Sequence, residues 1–106
     1  MYKEVSQEID KELVGKNIGN ITITGKTTHF IDRVIGEYQE SQYPQRGKRQ
    51  GVPIEALKVI IENNPKISKT IVNDIGERSV SFDFNGYRLT VNPDTGKLVQ
   101  TNKVRK

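Results

Sequence analysis

The pair Asn85-Gly86 stands between two runs of alternating apolar and polar residues, Ser79 to Phe84 and Tyr87 to Asn92. A two-residue hairpin loop of type I′ needs positive φ at both central residues, and Asn-Gly tolerates this best. Such a turn sets the register. Phe84 then faces Tyr87, Phe82 faces Leu89 and Val80 faces Val91, all on one side. On the other side Asp83 faces Arg88, Ser81 faces Thr90 and Ser79 faces Asn92. A slip of one residue would mix the two sets. The chain must therefore bury one face of an antiparallel hairpin, and the polar face is expected to stay open.

The residues before the hairpin supply its cover. Tyr2, Val5, Ile9 and Leu13 recur at helical spacing, which predicts a helix over roughly 3–14 stopped by Gly15. Residues 20–24, Asn-Ile-Thr-Ile-Thr, read as a short strand or extended lead-in broken by Gly25. Thr27 or Thr28 can cap a second helix over roughly 28–38, with Phe30, Ile31, Val34 and Ile35 as its buried stripe. Residues 39–51 form a long polar loop that carries Arg46, Lys48 and Arg49. Loops of that length in a compact domain are often functional.

Pro53 suits the start of a third helix bearing Ile54, Leu57 and Ile61, which Asn63-Asn64-Pro65 ends. Beyond Pro65 the period changes to two. Residues 67–73 read as a strand, 74–77 as a turn, Asn92 to Gly96 as a second turn and 97–101 as a last strand. The expected fold class is α+β, with N-terminal helices packed on one face of a four-stranded antiparallel sheet. A length of 106 residues suits one domain. Residues 20–106 read as its core, and 1–19 as an N-terminal helix and possible linker from a larger protein.

Several chemistries are excluded. There is no cysteine, so disulfides, thiolate metal sites and a cysteine nucleophile are ruled out. No His, Asp and Glu cluster has metal-ligand spacing, one histidine without cysteine argues against a zinc site, and no phosphate-binding glycine loop or serine nucleophile elbow is present. No apolar run is long enough to span a bilayer. The net charge of +4 is compatible with an ordinary basic domain or with attraction to a polyanion such as RNA, or to an acidic protein that blocks the site.

His29 is the sole histidine, and Arg33 follows four residues later on the same side of the second helix. Histidine exchanges protons near neutrality, and a guanidinium offers a fixed charge to a phosphate. The pair suits phosphodiester cleavage; equally, a lone histidine on a helix can be structural or simply exposed. The polar sheet face, with Ser81, Thr90, Asn92 and Arg88, reads either as an ordinary solvated face or as a cradle for an RNA backbone.

Four blocks resemble known sequences. Gly25-Lys26-Thr27-Thr28-His29-Phe30-Ile31-Asp32-Arg33-Val34-Ile35-Gly36 is similar to the start of C-terminal domains in phage head-associated proteins and bacterial polymorphic toxins. Arg49-Gln50-Gly51-Val52-Pro53-Ile54-Glu55-Ala56-Leu57 resembles their next block. Arg78-Ser79-Val80-Ser81-Phe82 and Val91-Asn92-Pro93-Asp94-Thr95-Gly96-Lys97-Leu98-Val99 resemble the last two. Such domains look like the barnase/EndoU/colicin/RelE superfamily of ribonucleases.

The resemblance implies a metal-independent, cofactor-free ribonuclease that cleaves tRNA, often in the anticodon loop. The 2′-hydroxyl would attack the adjacent phosphate and expel the 5′-oxygen, leaving a 2′,3′-cyclic phosphate and a 5′-hydroxyl. It also implies a toxin that is secreted or delivered from the cell surface as part of a larger protein, as in contact-dependent growth inhibition. Such a toxin acts in the target cytoplasm and is blocked by an immunity protein, here expected to be acidic. His29 is then the acid or base, and Arg33 and Arg78 hold the phosphate. Ser81, Thr90 and Thr95 position it. Lys97 is a secondary cation, Arg46, Lys48 and Arg49 grip RNA outside the cut site, and Arg88 and Asn92 also bind RNA. The alternative is a non-catalytic phage-derived module that keeps the fold and binds protein or nucleic acid.

Overall fold

The computed structural model describes residues 2–36 and 51–104. Three helices and seven strands follow in chain order: α1 Tyr2–Glu12, β1 Asn17–Ile18, β2 Ile21–Thr22, β3 Gly25–Lys26, α2 Thr28–Ile35, α3 Ile54–Asn63, β4 Ile67–Val72, β5 Arg78–Phe84, β6 Tyr87–Val91 and β7 Lys97–Lys103.

The β5–β6 hairpin has the expected register, from Val80 opposite Val91 to Phe84 opposite Tyr87. Asn85 and Gly86 take φ of 55° and 87°, as a type I′ turn requires. Phe82, Leu89 and Val91 are sealed from solvent and join Leu98 of β7. Against this surface pack Ile9 and Leu13 from the first helical stretch, Phe30 and Ile31 of α2, and Leu57 and Ile60 of α3. α2 lies on β7, α3 lies on β5 and β6, and α1 packs on both helices. Ile9, Leu13 and Ile18 belong to this same core, so residues 2–19 pack with the rest of the domain.

The helix ends follow local chemistry. The Thr27 hydroxyl accepts from the Phe30 N–H at 3.1 Å and so satisfies a donor in the first turn of α2. α2 stops at Ile35, short of the expected 38. Gly36 turns left-handed with φ of 79°, and its N–H donates to the Asp32 carbonyl at 2.8 Å. Pro53 takes the cap position of α3, one residue before the helix proper, and Asn64 closes it with φ of 47°.

The main sheet corrects the expectation of four antiparallel strands. It is mixed and five-stranded, in the order β3-β7-β6-β5-β4. β3 adds to the edge of β7 in parallel, with Gly25 beside Lys97 and Lys26 beside Leu98. Gly25, expected to break an extended segment, lies inside a strand. The expected strand over 20–24 shrinks to β2, which pairs only with β1 in a small separate hairpin. β7 runs two residues further than expected, to Lys103. Two irregularities, at Thr90/Val91 and Ile67/Lys69, shift the register at either side of the central hairpin.

Candidate functional site

The polar face of the hairpin is sorted as expected but is not open where it matters. Ser81 and Thr90 retain 4% and 9% of their accessible surface. Their hydroxyls lie 2.8 Å apart and satisfy each other. The register explains the burial. Ser81 sits between Thr90 and Lys69 of β4, and Thr90 is followed by Gln100 of β7. The next pair along the strands is Asp83 with Arg88. Two short side chains are thus ringed by longer ones. Arg88 donates to Asp83 through Nε at 2.7 Å and Nη2 at 2.9 Å. That bonding holds the Asp83 carboxyl below the usual carboxylate range, with partial burial opposing it. Arg88, assigned to RNA, is therefore already engaged by a carboxylate.

Arg78 follows the alternation of Val80 and Phe82, not that of Ser81, and projects at the end of β5. It donates to Asp94 through Nε at 3.2 Å and Nη2 at 2.7 Å. The hairpin register contains the signal for this partner. Extending the ladder past Val80 and Val91 brings Arg78 beside Pro93, next to Asp94. Hydrogen bonding to Arg78 lowers the Asp94 carboxyl below its usual range. In the same turn the Asn92 side-chain oxygen accepts from the N–H groups of Asp94 and Thr95, at 2.8 and 3.1 Å. The Thr95 hydroxyl accepts from the Lys97 N–H at 3.2 Å. Asn92 and Thr95 thus shape the turn, and Lys97 stands exposed at its end.

His29 is exposed on the first turn of α2, and Arg33 is half-buried one turn on. Arg33 Nε donates to His29 Nε2 at 3.2 Å. A guanidinium only donates, so His29 Nε2 is the acceptor in this bond. The anchor of this pair is Thr27, whose N–H donates to the Leu98 carbonyl at 3.0 Å and whose hydroxyl reaches the Val99 carbonyl at 3.3 Å. Just upstream, the Thr24 hydroxyl donates to the Thr95 carbonyl at 2.7 Å. One short segment, Thr24 to Thr27, therefore ties the Asn92–Gly96 turn to the helix that carries His29.

The expected residues thus form separate pairs: His29 with Arg33, Ser81 with Thr90, Arg78 with Asp94 and Arg88 with Asp83. Among the described residues no hydrogen bond joins the α2 pair to the hydroxyl pair, which lies on the sheet face away from the helices. Arg46, Lys48 and Arg49 lie outside the described residues. No group of histidine and acidic residues suited to a metal ion occurs among the described residues. No described helix is long and apolar enough to cross a membrane. No protein-family model, no curated protein and no solved structure matches the chain.

Proposed function

We propose that the chain is a metal-independent ribonuclease domain of a delivered bacterial toxin, cutting tRNA by 2′-hydroxyl attack on the adjacent phosphate. The observation that carries this reading is the exposed imidazole of His29 with its acceptor nitrogen on the Arg33 guanidinium. With Arg33 turned from Nε2 to the phosphate on which charge develops, the freed Nε2 lone pair can take the 2′-hydroxyl proton. Lys97 supplies a further exposed cation. Arg78 can join only by leaving Asp94. That pair is about half exposed on both sides, where an ion pair contributes little and a phosphate can compete. Ser81 and Thr90 support the sheet from within.

The test is purified tRNA incubated with the protein in EDTA. Fragments ending in a 2′,3′-cyclic phosphate are expected, and intact RNA alongside folded protein would overturn the proposal. A second reading, a nucleic-acid- or protein-binding module without catalysis, draws on Arg78 and Arg88 both being held by carboxylates. RNA retention without cleavage in the same experiment selects it. For the toxin reading, an acidic immunity protein would cover His29 and Arg33, associating more slowly as salt rises.

A further inference from the structure

The two edges of the main sheet are unlike. One is β3, two residues long and containing Gly25. So short an edge offers little to another strand. The other edge is β4, six residues long, with no proline and all six residues exposed. No strand among the described residues pairs with its outer side. Alternate backbone N–H and C=O groups of β4 therefore point away from the sheet. Folded proteins usually blunt such an edge with proline, charge or cover. Lys69 supplies some charge here, but large apolar side chains remain on offer: Ile67, Ile71 and Val72 are 52%, 47% and 59% exposed. Ile67 sits opposite Phe82 and Ile71 opposite Ser79, so apolar surface is offered on both faces of the sheet. The next turn continues the stripe with Ile75.

Along β4 itself and the residue before it the charge is of one sign. Between Pro65 and Asn73 the charged residues are Lys66 and Lys69, with no acidic residue among them. Lys69 flanks the exposed Ile71 on the face away from the helices. A strand laid along β4 would meet apolar contacts at Ile67, Ile71 and Val72 and cations at Lys66 and Lys69. Opposite charges directly across a ladder favour pairing and like charges oppose it.

We infer that β4 is a docking edge for a strand of a different protein, one that alternates apolar and acidic side chains and extends the sheet by main-chain pairing. This holds whether or not the domain cuts RNA, because none of the residues proposed for cleavage lies on β4.

The experiment is an amide-resolved NMR titration of the full chain with a synthetic peptide alternating valine and glutamate, and with its valine–lysine counterpart. The acidic peptide should shift the amides of residues 67–72 and protect them from exchange, more weakly as salt is raised. The lysine peptide should bind several-fold less well. Lys66→Glu with Lys69→Glu should reverse the preference, and these exposed positions leave the fold intact, as circular dichroism would verify. Absence of any β4 response to the acidic peptide at millimolar concentration overturns the inference, as does equal binding of the two peptides. β4 protection that grows with protein concentration alone would assign the edge to a second copy. A single-stranded RNA oligomer shifting the same amides in place of the peptide would also overturn it.

Discussion

Ser81 Oγ and Thr90 Oγ1 face each other across the β5–β6 ladder at 2.8 Å, both nearly sealed from solvent. Each hydroxyl is the partner of the other. Ser81→Ala strands the Thr90 hydroxyl in a site that water reaches poorly, which costs roughly 1–3 kcal/mol. Ser81→Ala combined with Thr90→Val removes both polar groups and should lie closer to wild type than the sum of the single changes. Urea denaturation of the four proteins checks this as a double-mutant cycle. Strict additivity would mean that the hydroxyls do not depend on each other.

The His29–Arg33 pair behaves differently, because it is on the surface. His29→Ala should change stability by about 0.5 kcal/mol or less. Under the ribonuclease proposal it should lower RNA cleavage roughly 10²–10⁴-fold, the usual worth of a positioned acid or base. Arg33→Lys keeps the charge but loses the planar donor that reaches His29 Nε2. Its cleavage should fall between wild type and Arg33→Ala. Steady-state rates with thermal melts separate these effects, and a folded His29→Ala protein that cuts at the wild-type rate would remove the histidine from the reaction.

Asp83 links the fold to pH. Arg88 bonding lowers its carboxyl in the folded state relative to the ordinary value of about 3.9. A carboxyl depressed on folding contributes stability that is fully present above the unfolded value and is lost as pH falls through the folded one. The group is partly solvated, so the contribution is about 1 kcal/mol at most. Asp83→Asn should therefore be less stable than wild type near neutrality, with the gap closing as the pH drops below about 3.9. Denaturation curves at neutral and acidic pH check the sign, and a gap that stays constant would argue against this pair.

The central hairpin was legible because one dipeptide constrains it. Asn85-Gly86 sets the turn, the turn sets the register, and the register puts Phe82 under the helices with 1% of its surface exposed. Phe82→Ala should accordingly cost about 3–5 kcal/mol as a cavity, measured by denaturant unfolding. β3 was not legible. Two residues, Gly25 and Lys26, carry no alternation, and their parallel pairing depends on β7 arriving from far along the chain. The closure over Ser81 and Thr90 was hidden for a similar reason. The residues that flank the pair, Lys69 and Gln100, come from neighbouring strands whose registers are shifted by irregularities. For the candidate site, spacing alone placed His29 beside Arg33. The capture of Arg78 by Asp94 needed the ladder extended beyond its last apolar pair.

Gly51 offers a test of packing that no periodicity suggests. Its N-terminal neighbours lie outside the described residues, but Gly51 itself presses against the end of α2, and the next residue, Val52, donates its N–H to the Val34 carbonyl at 3.1 Å. A Cβ added at Gly51 would stand 2.3 Å from the Val34 carbonyl oxygen and 2.7 Å from that of Ile35. These are backbone atoms of a packed helix, so they cannot swing aside as a side chain would. Gly25 is the natural control, since a Cβ there meets nothing within 4 Å and its φ is not in the left-handed region. Gly25→Ala should be neutral or slightly stabilising, because it restricts the unfolded chain without disturbing the fold. Gly51→Ala should destabilise by about 1–3 kcal/mol through forced displacement of the α2 end or of the 51–53 segment. Paired urea titrations measure both. If Gly51→Ala unfolds at the same midpoint as Gly25→Ala, the close approach of residue 51 to α2 is not a feature of the folded protein.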